Sequence, residues 1–156
     1  MKKSKFMLLS LLLISIIIVL IVLIINKKDN RVKLTQNDYN NANLITLDEE
    51  KLKEKQENKE TFIVYIHVPG LCTSEIPFDP LVNKFIKQNE ITIYSLPYSI
   101  LKNTNLNEYI KYSPSLAIIK DGKLLRFLDA NSDKDFEYYS SLEGLNKWVK
   151  SYVKLK

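Results

Sequence analysis

Two stretches hold the residues best placed to do chemistry. The first, F-I-V-Y-I-H-V-P-G-L-C-T-S-E-I-P-F-D-P over residues 62–80, carries the sole cysteine, Cys72, and the sole histidine, His67. An apolar run leads toward Cys72. Thr73 or Ser74 can cap the helix that follows, and Pro77 falls in its first turn, where a missing N–H costs little. A thiol just before a helix N-terminus meets unpaired N–H groups and the positive end of the helix dipole, which favour the thiolate. A thiolate attacks a disulfide and forms a mixed disulfide. Glu75 stands three residues on, and a carboxylate one turn away opposes that effect by raising the thiol pKa. The second stretch, Y-S-P-S-L-A-I-I-K-D-G-K-L-L-R-F over residues 112–127, opens on Ser113, Pro114 and Ser115. Backbone at the head of a strand offers an edge on which an extended peptide can dock.

Plainer roles compete for the same residues. Cys72 reads either as a reactive thiol or as a small hydrophobe left in a loop. Glu75 reads either as an acid/base residue or as a first-turn acid that favours the helix dipole. His67, inside a strand, reads as a packed or hydrogen-bonded core residue rather than as a base for Cys72. One Cys and one His do not make a structural zinc site, so neither metal nor cofactor is expected. Asp129, Asn131, Asp133 and Asp135 have the spacing of half a calcium loop. Lys134 stands where that loop needs glycine and Ser140 where it needs glutamate, so a solvated acidic turn is expected. Phe136, Tyr138 and Tyr139 beside it are expected to pack on the last helix.

The elements that position these stretches follow from periodicity. Residues 44–47 read as a short strand. Thr46-Leu47-Asp48-Glu49 has capping-box form ahead of a highly charged helix over 49–59. Residues 61–68 are apolar on both alternating faces, as expected of a central strand covered on both sides. Leu81, Val82, Phe85 and Ile86 give a helical apolar stripe, with Pro80 inside that helix. Residues 91–96 alternate as a strand, and 105–112 read as a short helix. Asp121-Gly122 between 115–120 and 123–128 is a hairpin signal. Leu142, Leu145, Trp148, Val149 and Tyr152 recur at helical spacing over 142–153. The order is β-α-β-α-β-α-β-β-α, an α/β chain.

This order, with Cys72 after the central strand and Pro80 eight residues beyond it, resembles the thioredoxin superfamily over residues 43–156. The resemblance implies a mixed central sheet with helices on both faces, Cys72 as the first active-site cysteine, and Pro114 as the cis-proline facing it. Departures from that pattern are specific. Glu75 stands where the second cysteine of C-x-x-C belongs, Leu71 in place of tryptophan, and Ile66 in place of the buried aspartate. A dithiol cycle within the chain is therefore not available; monothiol exchange through a mixed disulfide is. The placement of Cys72, Phe78 and Pro80 is also similar to that in the bacteriocin-transport accessory proteins of Gram-positive bacteria.

Residues 6–25 form an apolar run relieved only by Ser10 and Ser15, long enough to cross a bilayer as a helix. Lys2, Lys3 and Lys5 precede it, as in a signal peptide. No small-x-small cleavage site follows, so an uncleaved anchor is read ahead of a cleaved signal. Basic residues flank both ends nearly equally. The short basic tail over 1–5 argues for an extracytoplasmic C-terminal domain on a cell membrane. Residues 26–42 are polar and rich in Asn and Lys, as a juxtamembrane linker is. The net charge of +5 misleads if taken whole. The first 33 residues hold seven Lys or Arg against one Asp, leaving sixteen basic against seventeen acidic residues beyond them. The excess sits beside the membrane, and the globular part has no footprint for nucleic acid. The expected partners are thus the membrane and a protein disulfide or thiol. The Lys, Asn and Ile richness suits a low-GC Gram-positive bacterium.

Overall fold

The computed structural model describes residues 15–19, 29–69 and 78–155. The chain divides into two units, Met1–Asn30 and Arg31–Lys156. In the first, residues 15–19 are helical and exposed. Among the described residues no helix is long and apolar enough to cross a membrane. Most of the expected span over 6–25 lies outside them.

The second unit is built on a five-stranded sheet: β1 (Leu44–Thr46), β2 (Phe62–His67), β3 (Ile93–Pro97), β4 (Ser115–Lys120) and β5 (Lys123–Phe127), in the order β1-β3-β2-β4-β5. β1, β3 and β2 run parallel, while β4 and β5 run antiparallel to their neighbours. Alternation in β2 sends Ile63 and Tyr65 to one face and Phe62, Val64 and Ile66 to the other, and all five are buried. A central strand covered on both sides needs this two-faced apolar content.

Helices cover the two faces. On the Ile63 and Tyr65 face lie α2 (Phe78–Asn89), through Phe78, Val82, Phe85 and Ile86, and α5 (Leu142–Tyr152), through Leu145, Trp148 and Val149. On the other face α1 (Glu49–Glu57) buries only Leu52, and α3 (Tyr98–Leu101) buries Leu101. Between α3 and β4 the expected helix over 105–112 is reduced to a 3-10 turn, Asn105–Glu108, which buries Leu106. The cap of α1 also moves. Asp48, not Thr46, is the N-cap, and its carboxylate accepts the Lys51 N–H at 2.8 Å, because Thr46 remains paired in β1. At the β4–β5 turn Asp121 and Gly122 both take positive φ, as a two-residue hairpin requires. A last short helix, α4 (Phe136–Ser140), precedes α5.

The tether that composition suggested over 26–42 gives way at Arg31 to packed chain. Val32, Leu34 and Tyr39 are buried in the core of the Ile63 face. Val32 bridges Val153, and Tyr39 bridges Ile91. The Tyr39 hydroxyl accepts the Leu34 N–H at 3.0 Å and donates to the Lys154 carbonyl at 2.9 Å. Three apolar side chains at the right spacing outweigh the polar residues between them.

Candidate functional site

Three chain ends meet at one end of the sheet. β2 leaves it at His67, β3 at Pro97, and β4 enters it at Ser115, whose Cα partner on β2 is Ile66. The Ser113–Pro114 peptide bond is cis, as the resemblance implied. Ser113 and Pro114 are half-buried beside the outlet of β2. Ser115 is fully buried, and its hydroxyl donates to the Leu128 carbonyl at 2.5 Å. Of the three residues expected to present an edge, Ser113 and Pro114 are half-buried and Ser115 is not accessible. The third locks the start of β4 to the end of β5.

An aromatic series supports this end from beneath. His67 stacks on Tyr65 with ring centres 5.1 Å apart, Tyr65 meets Phe78 edge-on at 5.8 Å, and Phe78 meets Tyr139 at 4.6 Å. Tyr139 ends the series by donating its hydroxyl to the Pro114 carbonyl at 2.9 Å. Tyr65 donates to the Asp79 carboxylate in the first turn of α2. Burial pushes both phenols well above their ordinary pKa, so each stays a neutral donor. His67 joins β2 to β3 through Nε2 and the Ser95 hydroxyl, 2.8 Å apart. Its buried Nδ1 has no hydrogen-bond partner among the described residues. The core role expected of His67 fits these contacts.

Tyr65, Asp79 and Tyr139 were not singled out by sequence reasoning. Tyr139 had been grouped with Phe136 and Tyr138 as packing on the last helix. It does share the buried cluster of Leu145, Trp148 and Val149, and it also meets Phe78 and Pro114, while Phe136 is largely exposed. Only its helical phase against Tyr138 distinguishes it in the sequence, and that phase needs the start of α4 to be known. The acidic loop before α4 closes on itself. Asp135 accepts the Asp129 N–H and Asp129 accepts the Asn131 N–H, each at 2.9 Å. Cys72 and Glu75 belong to the connection between β2 and α2 and lie outside the described residues.

No family model matches the sequence, and no curated protein is detectably similar to it. Solved structures do match. A mutant thioredoxin from Halobacterium salinarum superposes with a TM-score of 0.54 at 10% identity, over 74% of this chain and 95% of that one. Oxidised thioredoxin from Plasmodium falciparum gives 0.52 at 11%, over 72% and 100%. Mitochondrial thioredoxin 3 from Saccharomyces cerevisiae gives 0.50 at 11%, over 69% and 93%. The chain has the thioredoxin fold. The expected superfamily resemblance is thus matched in three dimensions, with a mixed sheet, helices on both faces and a cis bond before Pro114. At such identities the likeness establishes the fold alone. What this thioredoxin-fold chain does must come from its own residues.

Proposed function

We propose that the chain is a membrane-anchored, extracytoplasmic thioredoxin-fold protein that works through Cys72 as a single-cysteine thiol-disulfide accessory. The observation that carries this reading is the placement of Ser113–Pro114. Their backbone lies beside the outlet of β2, the strand that feeds the connection holding Cys72. A client segment paired along that edge is brought to the connection that supplies the thiol.

The chemistry then has two steps. The Cys72 thiolate attacks one sulfur of a client disulfide; a Cys72–client disulfide forms and the other client sulfur leaves as a thiolate. A thiol from a second protein or a small molecule, itself deprotonated, next attacks the client sulfur of that bond. Cys72 leaves as a thiolate and the client remains joined to the incoming thiol. Glu75, in the place of a resolving cysteine, makes the external thiol necessary. Residues 6–25 supply the anchor, and the short basic tail supports the outward orientation. The Cys72, Phe78 and Pro80 frame supports kinship with bacteriocin-transport accessory proteins.

A second reading keeps the fold and drops the redox step: a binding module that holds a peptide or membrane-protein partner on the same edge. The Tyr139 bond favours it, since it fixes Pro114 without involving a thiol. Thiol trapping in living cells separates the two. Cells are quenched in acid, free thiols alkylated, and the tagged protein run on non-reducing gels beside a Cys72→Ser control. A heavier, reductant-sensitive band that vanishes in the control is the expected result. Free Cys72 alone, even after an oxidant pulse, overturns the redox reading and leaves the binding module.

A further inference from the structure

We propose that the cleft between α1, the Asn105–Glu108 turn and β5 docks an acidic peptide segment of a partner protein, one that carries an aliphatic or aromatic side chain beside its carboxylates. This goes beyond the thiol reading and depends neither on Cys72 nor on an anchor.

The cleft has a volume of about 510 Å³, within the size range of ligand-binding sites. Its floor is apolar. Leu106 belongs to the buried core of the α1 face, and Leu124 and Phe127 pack against that core. Tyr109 lines the same cleft with 58% of its surface exposed. Beside them the Gln56 amide donates through Nε2 to Asn105 Oδ1 at 3.3 Å. Gln56 Oε1 and Asn105 Nδ2 then have no partner among the described residues. One spare acceptor next to one spare donor matches the N–H and C=O of a peptide group.

The charge comes from the hairpin end. There an adjoining hollow shares Lys123, Leu124 and Leu125 with the cleft and adds Lys59 and Lys120. Asp121 is the one acid that lines it. The Gly122 N–H donates to the Glu60 carbonyl at 3.0 Å and the Asp121 N–H to the Thr61 hydroxyl at 3.2 Å, so the hairpin is tied to the chain that leaves α1. Two of the lysine placements oppose local preference. Lys59 has φ +55°, where a helix end favours glycine. Lys120 and Lys123 are Cα partners across the hairpin, where like charges destabilise. Among the described residues none of the three ammonium groups has an ion-pair partner, while Glu57 and Glu60 are paired with Lys53 and Lys55. Local rules broken together on one rim point to function. Lysines also guard an edge strand, and β5 is one. Guarding, however, needs no apolar cleft or amide pair alongside. The register shift between Ile118 and Ile119 interrupts regular pairing, so the segment is held by side chains and not as a sixth strand. Past Gln56 and Asn105, Glu49 lines the continuation of the cleft, which directs the carboxylates of the segment to the hairpin end.

The test measures fluorescence anisotropy with the full chain in detergent micelles. The probes are fluorescein-labelled hexapeptides that combine aspartate or glutamate with one leucine or phenylalanine. Control peptides replace the acids by their amides, or the apolar residue by alanine, and each control is expected to bind at least about fivefold more weakly. The Lys120→Gln, Lys123→Gln double variant is expected to lose affinity by a similar factor and to lose most of its salt dependence. Tyr109→Ala is expected to weaken binding at high and low salt alike. Lys59→Gly suits its backbone and removes a charge, so weaker binding in that variant cannot be assigned to misfolding; circular dichroism checks the others. No binding by any acidic peptide overturns the proposal. Binding that Tyr109→Ala and the double variant leave unchanged overturns it too. Equal binding of the alanine controls shows a charged rim only, and overturns the peptide groove.

Discussion

The Tyr139 hydroxyl donates to the Pro114 carbonyl at 2.9 Å from a ring that also packs on Phe78 at 4.6 Å. One residue thus ties α4 to the loop before β4 and to the start of α2. The bond occupies the Pro114 carbonyl, next to the half-buried Ser113.

Tyr139→Phe removes the bond and keeps the ring. A net hydrogen bond contributes about 1 kcal/mol, so the expected loss of stability is of that order. Tyr139→Ala also removes the ring from its place against Phe78, and should cost about 3–5 kcal/mol. Urea unfolding of both variants gives the two numbers. A Phe variant as destabilised as the Ala variant would show that the hydroxyl, not the ring, dominates.

A buried acid at the other end of the sheet gives a pH dependence. Asp38 is almost fully buried, accepts the Tyr94 hydroxyl at 2.7 Å through one oxygen, and has no partner for the other among the described residues. Beside it the Lys55 ammonium lies 4.1 Å from the centre of the Tyr94 ring and 2.6 Å from Glu60. Burial raises the Asp38 pKa; the Tyr94 bond and the Lys55 charge oppose this without reversing it. The folded state therefore holds the proton more tightly than the unfolded chain. Stability from this group is present below the unfolded value, near 3.8, and is lost as pH rises through the higher folded value. Asp38→Asn keeps an acceptor for Tyr94 and removes the charge. Relative to that variant, the wild-type stability measured by urea unfolding is expected to fall as pH rises above about 4. A constant difference across the series would show that Asp38 does not titrate on folding.

The hairpin turn admits one residue type at its second position. Gly122 has φ +77°, and a Cβ there would stand 2.1 Å from the Gln56 carbonyl oxygen in α1. Its N–H also donates to the Glu60 carbonyl at 3.0 Å. Gly122→Ala combines a disfavoured backbone with a backbone clash, and should lower stability by at least about 2 kcal/mol. Asp121→Asn, at φ +50°, is expected to be nearly neutral because Asn tolerates that region. Thermal unfolding of the pair checks both expectations.

Strand identity and fold class were legible in the sequence because β2 and β4 bury both faces, so their apolar runs are long and unbroken. The hairpin was legible because Asp-Gly specifies its own backbone. The Ser113–Pro114 edge came from the resemblance, since no local rule makes that peptide bond cis. What escaped was non-local. Tyr139 finds Pro114 across 25 residues, Asp38 finds Tyr94 across 56, and Tyr39 finds Lys154 across 115. A composition window sees Asn, Lys and Gln around Val32, Leu34 and Tyr39 and reads a solvated linker. The partners that bury them lie at the far end of the chain.

That last contrast sets a truncation experiment. A chain starting at residue 43, where composition would place the domain, loses Val32, Leu34 and Tyr39 from the core, together with the Val32 pairing to α5 and its end. Each such side chain contributes roughly 1.5–3 kcal/mol on burial, against about 1–2 kcal/mol per residue for ordering the backbone. Much of the direct gain is offset by the twelve residues that must be fixed. The larger effect is indirect. Removing the segment exposes Val153 and Val149, and water reaches the apolar face of α5 where it meets the sheet. A chain starting at Arg31 is therefore expected to unfold in one sharp transition. The shorter chain should unfold at lower urea, with amide protection lost first in the last turn of α5. Equal midpoints for the two chains would return residues 31–42 to the status of a tether and leave the domain boundary at residue 43.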